Sequence, residues 1–208
     1  MRAKSTHEIH QFVARHPEGE PFSPTELLLY GTRASIDQAL SRLTKSGVIE
    51  RVARGVYVKP KRSRIVGKVP PSPVAVAHTY ARARGIPVTT SGAQVLADYG
   101  LSTQTPVTPV LSAGVHGKKI LKIGHRQVIL RHAPGYVLRQ AGTPAGDALA
   151  ALQHLGRRRV NEGQELLAHL DPKTFGQLLD LRPTLPGWLA DLITRHARST
   201  PHAGSVTP

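Results

Sequence analysis

Arg33, Gln38 and Arg42 lie on the polar side of a segment, residues 33–46, in which Ile36, Ala39, Leu40 and Leu43 recur at three-to-four spacing. On the outer face of a helix, such side chains can read base edges in a DNA major groove: arginine makes a forked contact with guanine, glutamine a paired one with adenine. Ser35 and Lys45 suit phosphate instead. Thr32, at the start of the helix, can cap its free N–H groups and belongs to the same candidate contact set. Two β-prone runs follow, Val48–Val52 and Gly55–Val58, and Arg51, Arg54 and Lys59 place positive charge on this hairpin, within reach of a phosphate backbone or an adjacent minor groove. An ordinary amphipathic helix with a solvated face would explain residues 33–46 taken alone. The succession of three helices and a basic hairpin is what argues for duplex DNA.

Other chemistries are poorly provided for. The chain has no cysteine, which excludes disulfides, thiolate nucleophiles and cysteine zinc sites. Its eleven histidines include no HExxH, so they read as scattered surface groups and no metal site is expected. Between Pro71 and Ala133 stand seven Lys and Arg but one acidic residue, Asp98, too few carboxylates for two-metal phosphodiester cleavage. Asp171-Pro172-Lys173 matches part of a nuclease motif, yet Asp-Pro is also an ordinary helix start. GxxxxGK[ST], GxGxxG after a strand, and GxSxG are all absent. The reading is a binding protein, not an enzyme, with no cofactor. Arg157-Arg158-Arg159 could be a solvated helix end or a contact for RNA or a partner.

The elements that must position these residues can be sketched. With 208 residues, 39% hydrophobic and few aromatic, the chain can fill two modest cores with Leu, Val and Ala. A net charge of +15 points to a polyanionic partner, the alternative being a solubilising surface. The pattern predicts helices at Ser5 to His16, at Ser23-Pro24 through Leu29, and at Thr32 to Gly47, then the hairpin. Residues 1–60 thus make a winged helix-turn-helix, and the basic, proline-rich 61–73 a linker. Residues 74–198 predict a mixed α/β domain with a helical C-terminal part. It would contain an alanine-rich helix ending at Gly85, strands at 86–90 and 107–111 around a 92–99 helix, and a hairpin over 118–123 and 127–132. Helices starting at Thr143-Pro144, Asn161 and Asp171-Pro172 follow, then one carrying Trp188. The fold class is α/β in the α+β sense, and the tail 199–208 is expected to be disordered. No apolar run reaches membrane-spanning length and the N-terminus lacks the apolar core of a signal peptide, so no membrane partner and a cytoplasmic location are expected.

The run GTRASIDQALSRL from Gly31 to Leu43, with Gly47-Val48-Ile49 and RVARGVY at Arg51 to Tyr57, resembles the N-terminal domain of AbiEi-like antitoxins. The likeness continues through Thr90-Ser91-Gly92-Ala93 and LSTQTP at Leu101 to Pro106. It departs at Ser112-Ala113-Gly114, where that family carries an acidic residue between a Thr and a Gly. The resemblance implies a type IV antitoxin that represses its own operon and counteracts a nucleotidyltransferase toxin. Its partners would be operator duplex DNA, and the toxin or the RNA on which the toxin acts. Without the resemblance, the reading is a stand-alone winged-helix transcriptional regulator whose second domain binds an effector or dimerises.

Overall fold

The computed structural model describes residues 2–65, 67–103 and 107–199, with side chains from Thr6 onward. Helix α1 (Arg2–Arg15) starts before the expected cap at Ser5 and buries Ile9 and Val13. Gly19, at φ +80°, turns the chain into β1 (Pro21–Phe22), a conformation open to glycine because it lacks a Cβ. A 3-10 turn at Pro24–Leu27 follows, its start closed by the Ser23 N–H donating to Glu26 at 2.9 Å. The helix expected through Leu29 stops short, since Leu27 alone of the three leucines finds the core and Leu28 and Leu29 stand exposed. Helix α2 (Arg33–Lys45) buries Ile36, Ala39, Leu40 and Leu43, the phase its periodicity predicts. Strands β2 (Glu50–Ala53) and β3 (Val56–Val58) form the expected hairpin, and β1 pairs antiparallel with β3 to give the order β1-β3-β2.

The first unit extends past the linker predicted at 61–73. That segment holds a second hairpin, β4 (Lys61–Ser63) with β5 (Gly67–Val69), and Lys68 Nζ lies 2.7 Å from the Glu50 carboxylate. Helix α3 (Pro73–Arg82), expected to open the second domain, instead packs on the β1-β3-β2 sheet. It buries Val76, Ala77 and Tyr80, and its Thr79 hydroxyl donates to the Pro21 carbonyl at 3.3 Å. Residues 119–130 join the same unit, Arg126 Nη2 donating to the carbonyls of Pro70 (3.1 Å) and Pro71 (2.7 Å). The units are therefore residues 1–86 with 119–130, and 87–118 with 131–208. The reason is non-local packing: the apolar face of α3 finds its partner upstream, in the sheet, rather than downstream.

In the second unit β6 (Val88–Thr90) pairs antiparallel with β7 (Val110–Ala113), and α4 (Gly92–Asp98) lies between them in sequence. The expected hairpin is present as β8 (Lys118–Ile123) and β9 (Arg126–His132), whose residues 119–130 belong to the first unit. Five helices follow: α5 (Gly135–Leu138), α6 (Pro144–Leu155), α7 (Val160–His169), α8 (Pro172–Leu181) and α9 (Gly187–Ser199). Thr143 and Asp171 cap α6 and α8, accepting from the Gly146 N–H at 3.1 Å and the Thr174 N–H at 3.0 Å. Asn161 is not a cap, because α7 begins one residue before it. Ala145, Ala148, Leu149, Ala151 and Leu152 bury α6 on all sides, which makes it the centre of this core. The whole is mixed helix and sheet, an α+β arrangement. Among the described residues no helix is long and apolar enough to cross a membrane. The tail from residue 200, and Gln104 to Pro106, lie outside the described residues.

Helix α4 meets α6 so closely that a Cβ on Gly92 would stand 2.2 Å from the Ala150 carbonyl oxygen. Alanine gains about 1 kcal/mol over glycine in helix propensity, but overpacking against backbone costs about 1–3 kcal/mol. Gly92→Ala should therefore lower the midpoint of chemical unfolding; an unchanged or raised midpoint would place the crossing of α4 and α6 at another residue.

Candidate nucleic-acid interface

The start of α2 is fixed by its cap. Thr32 Oγ1 accepts from the Ser35 N–H at 3.3 Å, and Ser35 Oγ donates to the Thr32 carbonyl at 2.8 Å, so both hydroxyls are engaged in starting the helix. With Leu40 and Leu43 held in the core, residues 33, 37, 41, 44 and 45 climb one flank at helical spacing. That flank and the β2–β3 hairpin enclose an open groove of about 610 Å³. Arg51, Arg54 and Tyr57 line it from the hairpin side, and Arg84, just beyond α3, completes it.

Five of the lining side chains are cationic, Arg33, Lys45, Arg51, Arg54 and Arg84, and one, Asp37, is acidic. Arg33 Nε donates to both Asp37 carboxylate oxygens, at 3.0 and 2.9 Å. The two side chains are 58% and 49% exposed, and a pair in that much water contributes at most about 1 kcal/mol, so an arriving phosphate or base edge can displace it. Arg84 is held more firmly. Its Nη1 donates to the Tyr80 carbonyl at 3.1 Å, its Nη2 to the Arg54 carbonyl at 2.9 Å, and its guanidinium carbon lies 3.7 Å from the centre of the Tyr80 ring. The hairpin tip is thereby tied to the end of α3.

Of the nine candidate residues, Arg33, Lys45, Arg51 and Arg54 meet in this groove. Gln38 and Arg42 are exposed on α2 outside it; by helical spacing Arg42 shares the flank of Ser35, two turns away, on the side opposite the hairpin. Lys59 is half-buried and sits elsewhere: Nζ donates to the Ala14 carbonyl at 3.4 Å and lies 3.6 Å from Glu18, where a cation meets the negative end of α1. Asp37, Ser41, Thr44, Tyr57 and Arg84 were not among the candidates. The first three follow Arg33 at helical spacing, a readable signal; Arg84 carries none, because it reaches the groove only through the packing of α3.

Charge is distributed unevenly between the units. Eighteen of the 28 Lys and Arg and six of the 13 acidic residues fall in the first, a net +12 against +3 in the second. Among the described residues, no group of three His, Asp or Glu could hold a metal ion. A family model spans this same stretch of chain. The chain belongs to DUF6088, a family of unknown function. The DUF6088 match covers residues 8–171, hence every residue that lines the groove, and ends where α8 begins. No curated protein matches the chain.

Asp37→Asn removes the carboxylate from the groove and frees Arg33. Binding to a polyanion such as duplex DNA should tighten about threefold at low salt and converge on the parent as salt rises, measured by fluorescence anisotropy. Weaker binding would mean that Asp37 is itself a contact residue.

Proposed function

We propose that the first unit is a winged helix-turn-helix that binds duplex DNA, with α2 entering the major groove and the β2–β3 hairpin lying along the backbone as the wing. The observation that carries this is the shared groove of α2 and hairpin, with five cations against one carboxylate. The order α1, β1, short turn, α2, β2, β3, with β1 closing the sheet on β3, supports it. In this reading Arg33 and Gln38 meet base edges, while Lys45, Arg51, Arg54 and Arg84 neutralise phosphates. Arg42 reaches the backbone on the far flank, and Thr32 and Ser35 act by fixing the start of α2. The net +12 of the unit supplies the long-range attraction.

The resemblance to AbiEi-like antitoxins extends the proposal. The target is then the operator of the chain's own operon, in the cytoplasm, and the chain counteracts a nucleotidyltransferase toxin through the toxin or its RNA substrate. No step of this role is catalytic. The second reading, a stand-alone regulator with an effector unit, is favoured by one observation, the cavity in the second unit.

Anisotropy titrations with DNA from upstream of the chain's own gene, over a range of salt, test the proposal. Arg54→Ala should weaken binding to all duplexes alike and flatten the dependence of log Kd on log salt by about one. Gln38→Ala should cost about 1–3 kcal/mol on the operator and little on a random duplex. If both variants bind like the parent, α2 and the hairpin are not the contact surface.

A further inference from the structure

The cavity of the second unit, about 430 Å³, takes no part in the proposed DNA contact and is large enough for a small ligand. Its floor is apolar, built from Val110, Ala133, Val137 and Ala150. Its ionisable lining is Arg131, His132 and His154, and no acidic residue is among the lining side chains. This is unlike the groove on α2, where Asp37 offsets one of the arginines.

The neutral lining groups are committed in ways that leave donors over. Ser91, 7% exposed, accepts from the Gln94 N–H at 3.3 Å, which leaves its own hydroxyl proton to give. The Tyr136 hydroxyl donates to Gln153 Oε1, which occupies the amide oxygen and leaves the amide NH2. His132 Nδ1 donates to the Val115 carbonyl at 2.8 Å, so Nε2 is the ring atom left to serve a ligand, as a donor when protonated. Partial burial, then Arg159 and Arg131, hold His154 below the ordinary histidine range; the field of two cations converges on its ring. Arg159 has its counterion in Glu162. Gly92 seats the start of α4 against α6, and the Thr89 hydroxyl donates to Asp147 at 2.7 Å.

A site rich in donors, positive and without carboxylates, above an apolar floor, calls for a ligand with an acceptor-only anionic group and a carbon body. We propose that this cavity binds a small organic monophosphate, its phosphate held by Arg131, His154 and the Ser91 hydroxyl and its body lying on Val110, Val137 and Ala150. Phosphate is the better match than carboxylate because its three terminal oxygens can accept a forked pair from the Arg131 guanidinium and still leave an oxygen for the neutral donors of the lining.

Titration calorimetry of the intact chain with adenosine 5′-monophosphate, glucose 6-phosphate, inorganic phosphate and benzoate tests this, alongside Arg131→Gln and His154→Gln checked for fold by circular dichroism. At least one of the two organic phosphates should bind with a Kd below about 1 mM. It should bind more tightly than inorganic phosphate, because the floor adds buried apolar area, and roughly tenfold or more weakly to each folded variant. Amide shifts in the parent should centre on Ala133, Val137 and His154, a readout that stands even if both variants unfold. No saturable organic phosphate, equal affinity for inorganic phosphate or benzoate, parent-like binding by a folded variant, or shifts centred elsewhere would each overturn the assignment. None of these outcomes bears on DNA binding by the first unit.

Discussion

Ile36, Leu40 and Leu43 leave water almost completely when α2 packs on α1, and the candidate interface depends on that burial. Each such side chain is worth about 1.5–3 kcal/mol buried rather than exposed, so the three together hold the helix at one rotation about its axis. Phe22 and Leu27, both fully buried in the same core, close the other side, with Phe12 set edge-on to Phe22 at 5.5 Å between ring centres. Turning α2 by a single residue would carry the Arg33–Asp37 flank toward this core. The cost of stripping water from those charges would exceed any packing energy they found there. The placement of the polar flank beside the hairpin is therefore a consequence of packing, and needs no polar interaction to enforce it.

The hairpin is placed by a different means. Val56 and Val58 are buried in the sheet on which α3 packs, but Gly55 at the tip carries no side chain to anchor it. Arg84 supplies the anchor with two hydrogen bonds and a ring contact, joining the carbonyl of Arg54 to the body of α3 through Tyr80. Lys119 Nζ, 5.1 Å from the centre of the same ring, adds a second cation there. A side chain that sets the geometry of the groove thus also contributes to its charge, so the shape and the electrostatics of the surface depend on one residue.

Much of this could be read in the sequence because it depends on local rules. The phase of α2 follows from a 3.6-residue period, the caps at Thr32, Thr143 and Asp171 from side chains able to accept an N–H, and the hairpins from β-prone runs broken at Gly55 and Gly124. What could not be read depends on partners distant in the chain. The 61–73 segment has the composition of a linker, but its short strands pair with each other, and the apolar face of α3 does not reveal in sequence that its partner is the sheet upstream. The same non-local packing moves Arg82, Arg84, Lys119, Lys122 and Arg126 into the first unit. A charge that divides evenly at residue 68, +7 against +8 from the sequence alone, becomes +12 against +3. Lys59 illustrates the reverse case: next to a basic hairpin in sequence, it is drawn to the carbonyl end of α1.

The central claim is that one face of the first unit, made by α2 and the hairpin, meets duplex DNA. Amide chemical-shift mapping of the intact chain, titrated with a duplex from upstream of its own gene, tests this most directly. The account predicts that the largest shifts fall in residues 33–45 and 51–57 and at Arg84, with the helices α6 to α9 unmoved. Largest shifts within the second unit, or none at residues 33–45, would contradict it.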